Sequence, residues 1–420
     1  MIRKPSSLFA LLLGAVLVCS GGERVAPFDL ALAHAARSAP HDDTDASEPD
    51  GAGEASLSPE EDKVESTPVA MRIDNVPIPV KGSDGRYHIV YELNLSNFTA
   101  AKMVIKKLEV VDTTDSLIVA TLDATEIAKR IVLRDFEAVP GTLGAAQTSL
   151  LYLHVVFDGR RDMPRALQHR LSVEDISKTV VATAARTRVA RATDLVLDAP
   201  LRGSRYIAGD GCCDSTRHIR ATLALNGGVF TAQRLAIDWE QLDEQDRIYV
   251  GDPNNPESYI IYGKPAYAVA DAKVIKAVDG MPNSPIGRLP NLPADQADGN
   301  HVILALGDGR YALNAHLQRH SVRVHEGEFV RRGQVLGVVG TSGNSSEPHL
   351  HFHITDGPTL ASNGVPYLLR RFSSRRRGVS TAAFDQAIID GRPIAAEPVV
   401  GPARREEVLP LDLWIVDFPE

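Results

Sequence analysis

Apolar side chains recur at every second position through much of the region between residues 87 and 157. Residues 87–95 read Tyr-His-Ile-Val-Tyr-Glu-Leu-Asn-Leu, and 104–111, 117–122 and 150–157 are similar short runs with turn-forming residues between them. A period of two belongs to a strand with one buried face, so residues 67–195 are expected to form an immunoglobulin-like β-sandwich. From residue 196 the pattern is again strand and turn. Residues 221–238 hold two strands around Asn226-Gly227-Gly228, a hairpin signal. Residues 262–276 and 301–306 continue a sheet, and 322–339 predict two short strands joined by glycine turns. The expected fold class is all-β: a sandwich, then a mainly antiparallel sheet domain over 196–372, then a C-terminal extension over 373–420. Within that extension the arginine-rich residues 373–378 read as a solvated loop.

The first 66 of the 420 residues differ. Arg3 and Lys4 precede an apolar run at 8–19, which is short for a bilayer span and has the length of a signal-peptide core. Residues 1–20 are therefore expected to be a signal peptide and the protein to be periplasmic or extracellular. Cys19 leaves a lipid anchor open, although Val18 before it is bulkier than such signals prefer, and an uncleaved anchor stays open too. No later segment is long and apolar enough to cross a membrane. Residues 21–66 are expected to be a disordered acidic linker, because they carry almost no large apolar side chains. Ten acidic and only two basic side chains fall between residues 34 and 65, so most of the net charge of -9 sits there. Neither folded part has the basic surplus of a nucleic-acid-binding protein. Cys212 and Cys213 are adjacent, and a disulfide or a pair of buried thiols both remain open.

The densest chemistry is Pro348-His349-Leu350-His351-Phe352-His353. On a strand, His349, His351 and His353 share one face while Leu350 and Phe352 point into a core. Three imidazoles on one face suit metal binding or acid–base work. His316, in Tyr311-Ala-Leu-Asn-Ala-His316-Leu317, is a further candidate at a strand end. His320 and His325 read as solvated, His301 as packing, Asp271 as a turn residue and Glu347 as exposed. Asn344, Ser345 and Ser346 are read as holding the loop before the histidines.

The stretch 299–357, with Gly-Asn-His-Val, Tyr-Ala-Leu-Asn-Ala-His-Leu, Val-Arg-Arg-Gly-Gln-Val-Leu-Gly, Gly-Thr-Ser-Gly-Asn-Ser and Pro-His-Leu-His-Phe, resembles the lysostaphin-type (LytM-like) zinc metallopeptidases. Residues 262–271 share the resemblance, which extends over roughly 201–369. It implies a duplicated hybrid-motif β-fold, a Zn2+ cofactor and hydrolysis of peptide bonds in peptidoglycan. It also implies His351 and Asp238 as zinc ligands, with His316 and His349 as the catalytic histidines that activate water or hold the oxyanion. The sequence departs from the family at Arg234, four residues before Asp238, where a ligand histidine is usual and a guanidinium cannot bind zinc. His218 is the expected substitute. A three-residue hairpin loop pairs 218 with 236 and puts His218 one step from Asp238, whereas a two-residue loop turns it outward. Arg234 and His353 are read as groove or supporting residues, with Arg234 beside Asp238 or a substrate carboxylate, or else a surface arginine. The other reading of these residues is a catalytically degenerate module that grips cell-wall peptides or regulates another hydrolase.

Overall fold

The computed structural model describes residues 66–132, 139, 141–175, 178–213, 218–290 and 292–420; the expected signal peptide, and the acidic linker up to residue 65, lie outside them. The alternating runs near the N-terminus form two antiparallel sheets. One has the order Val69–Ile73, Tyr87–Asn97, Thr148–Phe157, Ile131–Val132, with Val80–Lys81 beside the second strand. The other runs Thr179–Arg188, Ala166–Glu174, Met103–Asp112, Ile118–Asp123, with Thr142–Leu143 beside the third. Leu93, Leu95, Leu151 and Leu153 of the first sheet and Ile105, Leu108, Leu171 and Val173 of the second join one buried apolar cluster. Burying alternate faces against each other is what holds two sheets together.

His169 is a polar member of that interior. Its Nδ1 donates to the Ala185 carbonyl at 3.0 Å, and its Nε2 accepts from the Tyr91 hydroxyl at 2.9 Å, so both bonds need the neutral ring. Burial pushes its pKa from the ordinary 6.5 down to about 4. Between these values the unfolded chain binds a proton that the folded chain does not. Stability is therefore expected to fall as pH drops from 6.5 toward 4, by up to about 3 kcal/mol. Urea unfolding at pH 7 and pH 5 checks this: the difference between the two should shrink in His169→Phe, whatever the variant's absolute stability.

The rest of the chain is dominated by a twelve-stranded sheet. Its central order is Leu368–Gly378, Trp414–Phe418, Gly203–Gly209, Ile237–Gln241, Leu350–Thr355, Arg310–Leu317, Asn300–Gly307, Ala272–Val278. Residues 373–378 are thus not the solvated loop that their charge suggests. They belong to the strand Leu368–Gly378, which buries Phe372, Ser374 and Gly378 and turns the arginines outward. Arg376 makes a two-pronged pair with Asp246 at 2.6 and 2.7 Å, and Arg377 pairs with Glu397. The C-terminal residues are integral to this sheet, since Trp414–Phe418 lies between Leu368–Gly378 and Gly203–Gly209.

Thr222–Leu225 and Gly228–Thr231 form the expected hairpin, but with a two-residue turn, because Leu225 faces Gly228. Asn226 and Gly227 both have positive φ, 49° and 78°, as this tight turn requires. Among the described residues no helix is long and apolar enough to cross a membrane.

Candidate metal centre

Register alone brings the first two residues together. Ile237–Gln241 pairs with Leu350–Thr355 so that Asp238 stands opposite His351, with Ile237 and Trp239 opposite Phe352 and Leu350. Trp239, Leu350 and Phe352 are fully buried in the core. Asp238 Oδ1 lies 2.7 Å from His351 Nδ1. On the other side of His351, Ala315 of the strand Arg310–Leu317 is its register partner. Strict alternation would send the next residue, His316, to the opposite face. Its φ of 62° breaks the alternation, and its ring lies 4.7 Å from that of His349 and 5.7 Å from that of His351.

His218 arrives by a route that the strand argument did not anticipate. The two-residue turn is the case in which a strand would point it away, but residues 218–220 are a short 3-10 turn rather than a strand. A turn has no strand parity, and His218 Nε2 sits 3.3 Å from Asp238 Oδ2.

The hydrogen bonds behind these rings set their tautomers. His218 Nδ1 donates toward the carbonyls of Asp210 and Ala236, at 3.0 and 3.2 Å. His316 Nδ1 donates to Ser342 O at 2.7 Å, and His349 Nδ1 to Glu347 O at 2.8 Å. In its neutral form each ring is thereby left with an Nε2 lone pair. For His349 that nitrogen lies 3.5 Å from Asp238 Oδ1. His351 is held the other way round, its Nε2 against His353 Nδ1 at 2.8 Å and its Nδ1 facing Asp238.

Two donor sets sharing His351 have ligand atoms within 4.8 Å of one another: His218, Asp238 and His351, and His316, His349 and His351. All the histidines are buried, and Asp238 is partly buried. Burial, reinforced by the charges of His349 and His351, holds His316 well below the usual imidazole range. Burial also lowers His351 and His353. His218 is raised to about 9 against its burial, because the Asp238 carboxylate beside it favours the cation. Asp238, despite burial, is held well below the usual carboxylate range by His218, His349 and His351. A carboxylate ringed by imidazole nitrogens is a nitrogen–oxygen donor set that suits a divalent transition metal, and such an ion would take the place of the protons that His218 and His351 turn toward Asp238.

The remaining candidates fall elsewhere. Arg234 is not a groove residue beside Asp238: its guanidinium is spent on Glu92 of the strand Tyr87–Asn97, with Nε 3.0 Å from Oε1 and Nη2 against Oε2, and on Thr231 Oγ1 at 2.6 Å. Nor is it a surface arginine, since both Arg234 and Glu92 are buried. His353 is buried behind His351 rather than at a rim. His301 is buried with its Nδ1 on Gly299 O, His320 and His325 are exposed, and Glu347 is half-buried. Ser345 Oγ bonds Glu347 O and Thr341 Oγ1, fixing the loop before His349. Asp271 Oδ1 accepts from the Arg332 backbone. One cluster had no signal in the sequence: His88 and His154, 66 residues apart, meet beside Cys213.

Comparison with known proteins finds similarity over the segment that carries His316, His349, His351 and His353. Residues 259–363 match the model of peptidase family M23. The chain is 29% identical over 104 residues to the cell division protein DipM of Caulobacter vibrioides, covering 25% of this chain and 14% of DipM. It is 30% identical over 103 residues to the glycyl-glycine endopeptidase ALE-1 of Staphylococcus capitis, covering 24% of each. The chain thus spans under a quarter of the length of these curated relatives. Among solved structures, the catalytic domain of lysostaphin from Staphylococcus simulans aligns with a TM-score of 0.22 and 19% identity, over 39% of this chain and 87% of that one. His218 and Asp238 lie before the matched segment, and His316, His349, His351 and His353 within it. Over residues 259–363, the chain carries a peptidase family M23 domain.

Proposed function

We propose that the protein is a zinc-dependent endopeptidase that cuts peptide bonds in peptidoglycan outside the cytoplasm. The observation that carries this reading is the gathering of His218, His349 and His351 on the Asp238 carboxylate, with His316 packed against His349 and His351; three of these four rings have Nδ1 committed to a backbone carbonyl. His218, Asp238 and His351 would hold the metal, because this set contains the carboxylate whose charge offsets a cation's. His316 and His349 then remain for proton work. Bound there, zinc supplies Lewis acidity that polarises a scissile carbonyl and acidifies water. His316, kept neutral by burial, offers Nε2 as a base at neutral pH and can return the proton to the leaving amine. His349 Nε2, in its protonated form, can donate to the developing oxyanion. His353 keeps the Nδ1 of His351 turned toward Asp238.

The substrate class follows from the relatives, one of which is named a glycyl-glycine endopeptidase. Export fits the basic pair and apolar run at the N-terminus and the disulfide between Cys212 and Cys213. The test is metal analysis of the purified chain together with cleavage of peptidoglycan and glycyl-glycine peptides. About one zinc per chain is expected at this site, with cleavage stopped by a chelator and restored by zinc. A metal-free chain that binds wall fragments without cutting them would instead make it a binding module.

A further inference from the structure

A second set of metal-binding side chains lies outside this centre. His88 on the strand Tyr87–Asn97 and His154 on the neighbouring Thr148–Phe157 bring Nδ1 and Nε2 to 2.9 Å. Cys213, from the loop after Gly203–Gly209, completes a group whose ligand atoms lie within 4.8 Å of one another. His88 Nε2 is 3.0 Å from Asp84 Oδ1. A carboxylate there keeps the proton on Nε2, so Nδ1 turns its lone pair toward His154, the arrangement by which a carboxylate orients a metal-binding histidine. A Cβ on Gly82 would stand 2.7 Å from His88 Nε2, so the absence of a side chain there leaves room for the ring. His88 and Cys213 are buried and His154 is half-buried.

Cys213 is bonded to Cys212, and a disulfide sulfur is a poor ligand where a thiolate is a strong one. We propose that reduction of the Cys212–Cys213 bridge opens a second metal site, formed by Cys213 Sγ, His88 and His154, for zinc. A dithiol reductant transfers two electrons and two protons to the bridge and itself becomes a disulfide. The Cys213 thiol then gives up its proton as its sulfur takes the metal. Two nitrogens and one sulfur around tetrahedral zinc stand about 3.3–3.6 Å apart, so the three ligands reach that geometry with shifts of about 1 Å. The ion would join the strands Tyr87–Asn97 and Thr148–Phe157 to Cys213, which lines the same small hollow as His218.

Cobalt(II) tests this, because a thiolate ligand gives cobalt a near-ultraviolet charge-transfer band that the all-nitrogen-and-oxygen centre around Asp238 lacks. The full chain is titrated with cobalt in its oxidised form, after treatment with a dithiol, and as Cys212→Ser, in which the Cys212–Cys213 bridge cannot form. The expected result is one further equivalent of cobalt, with the charge-transfer band, in the reduced chain and in Cys212→Ser. Both should disappear in Cys213→Ser and His88→Ala. Only the difference between forms is read, so the result does not depend on filling of the first centre. No added equivalent in either the reduced chain or Cys212→Ser overturns the proposal. So does an added equivalent that survives in Cys213→Ser, or one already present in the oxidised chain.

Discussion

Asp238→Ala and His218→Ala are each expected to purify with less than about a tenth of the wild-type zinc and to lose cleavage by about 10³-fold or more. Asp238 supplies the only carboxylate in either donor set, so its loss removes the charge that offsets the cation. His218 has its Nδ1 committed to Asp210 O and Ala236 O, so only Nε2 can serve Asp238 or a metal. His316→Ala and His349→Ala should behave differently. They are expected to keep zinc near the wild-type level while turnover falls about 10²–10⁴-fold, the range for loss of a proton-transfer group. Metal content and initial cleavage rate, measured on the same preparations, separate the two classes. Equal zinc in His218→Ala and wild type would remove His218 from the ligand set.

The second large effect concerns a pair that does no chemistry. Removing either partner of the buried Arg234–Glu92 pair leaves a charge without compensation, which costs about 3–5 kcal/mol. Arg234→Ala and Glu92→Ala are each expected to lower unfolding stability by that amount. Replacing both at once, Arg234→Met with Glu92→Leu, should recover most of it, because two apolar side chains owe no desolvation cost. Urea denaturation of the two single variants and the double variant measures this. Losses below about 1 kcal/mol in both single variants would mean that the pair behaves like an exposed one.

The candidate centre shows how far residue order carried. The alternation in His349-Leu350-His351-Phe352-His353 assigned the core side chains, and Leu350 and Phe352 are fully buried. The family-like motifs around His316 and His349 pointed to the same segment that the family match covers. His218 was named through a hairpin register that the fold does not use, and it reaches Asp238 from a turn. Arg234, read beside Asp238 because it stands where the family carries a ligand histidine, or else as a surface arginine, binds Glu92, 142 residues earlier in the chain. The arginines at 375–377 looked like a solvated run because three consecutive charges mask the strand whose small inward-facing residues, Ser374 and Gly378, flank them; Asp246 and Glu397, which receive two of them, lie 130 and 20 residues away.

By itself, the sequence determined most of the segments that extend and which of their faces are buried, and it named candidate side chains for chemistry, because these readings depend on residues one to four positions apart. Only the tertiary structure decided that Asp238 meets His351, that His218 enters from a turn, and that His88, His154 and Cys213 meet at all. Those meetings depend on strand order and register across the sheets, which many buried contacts fix jointly and no local pattern encodes.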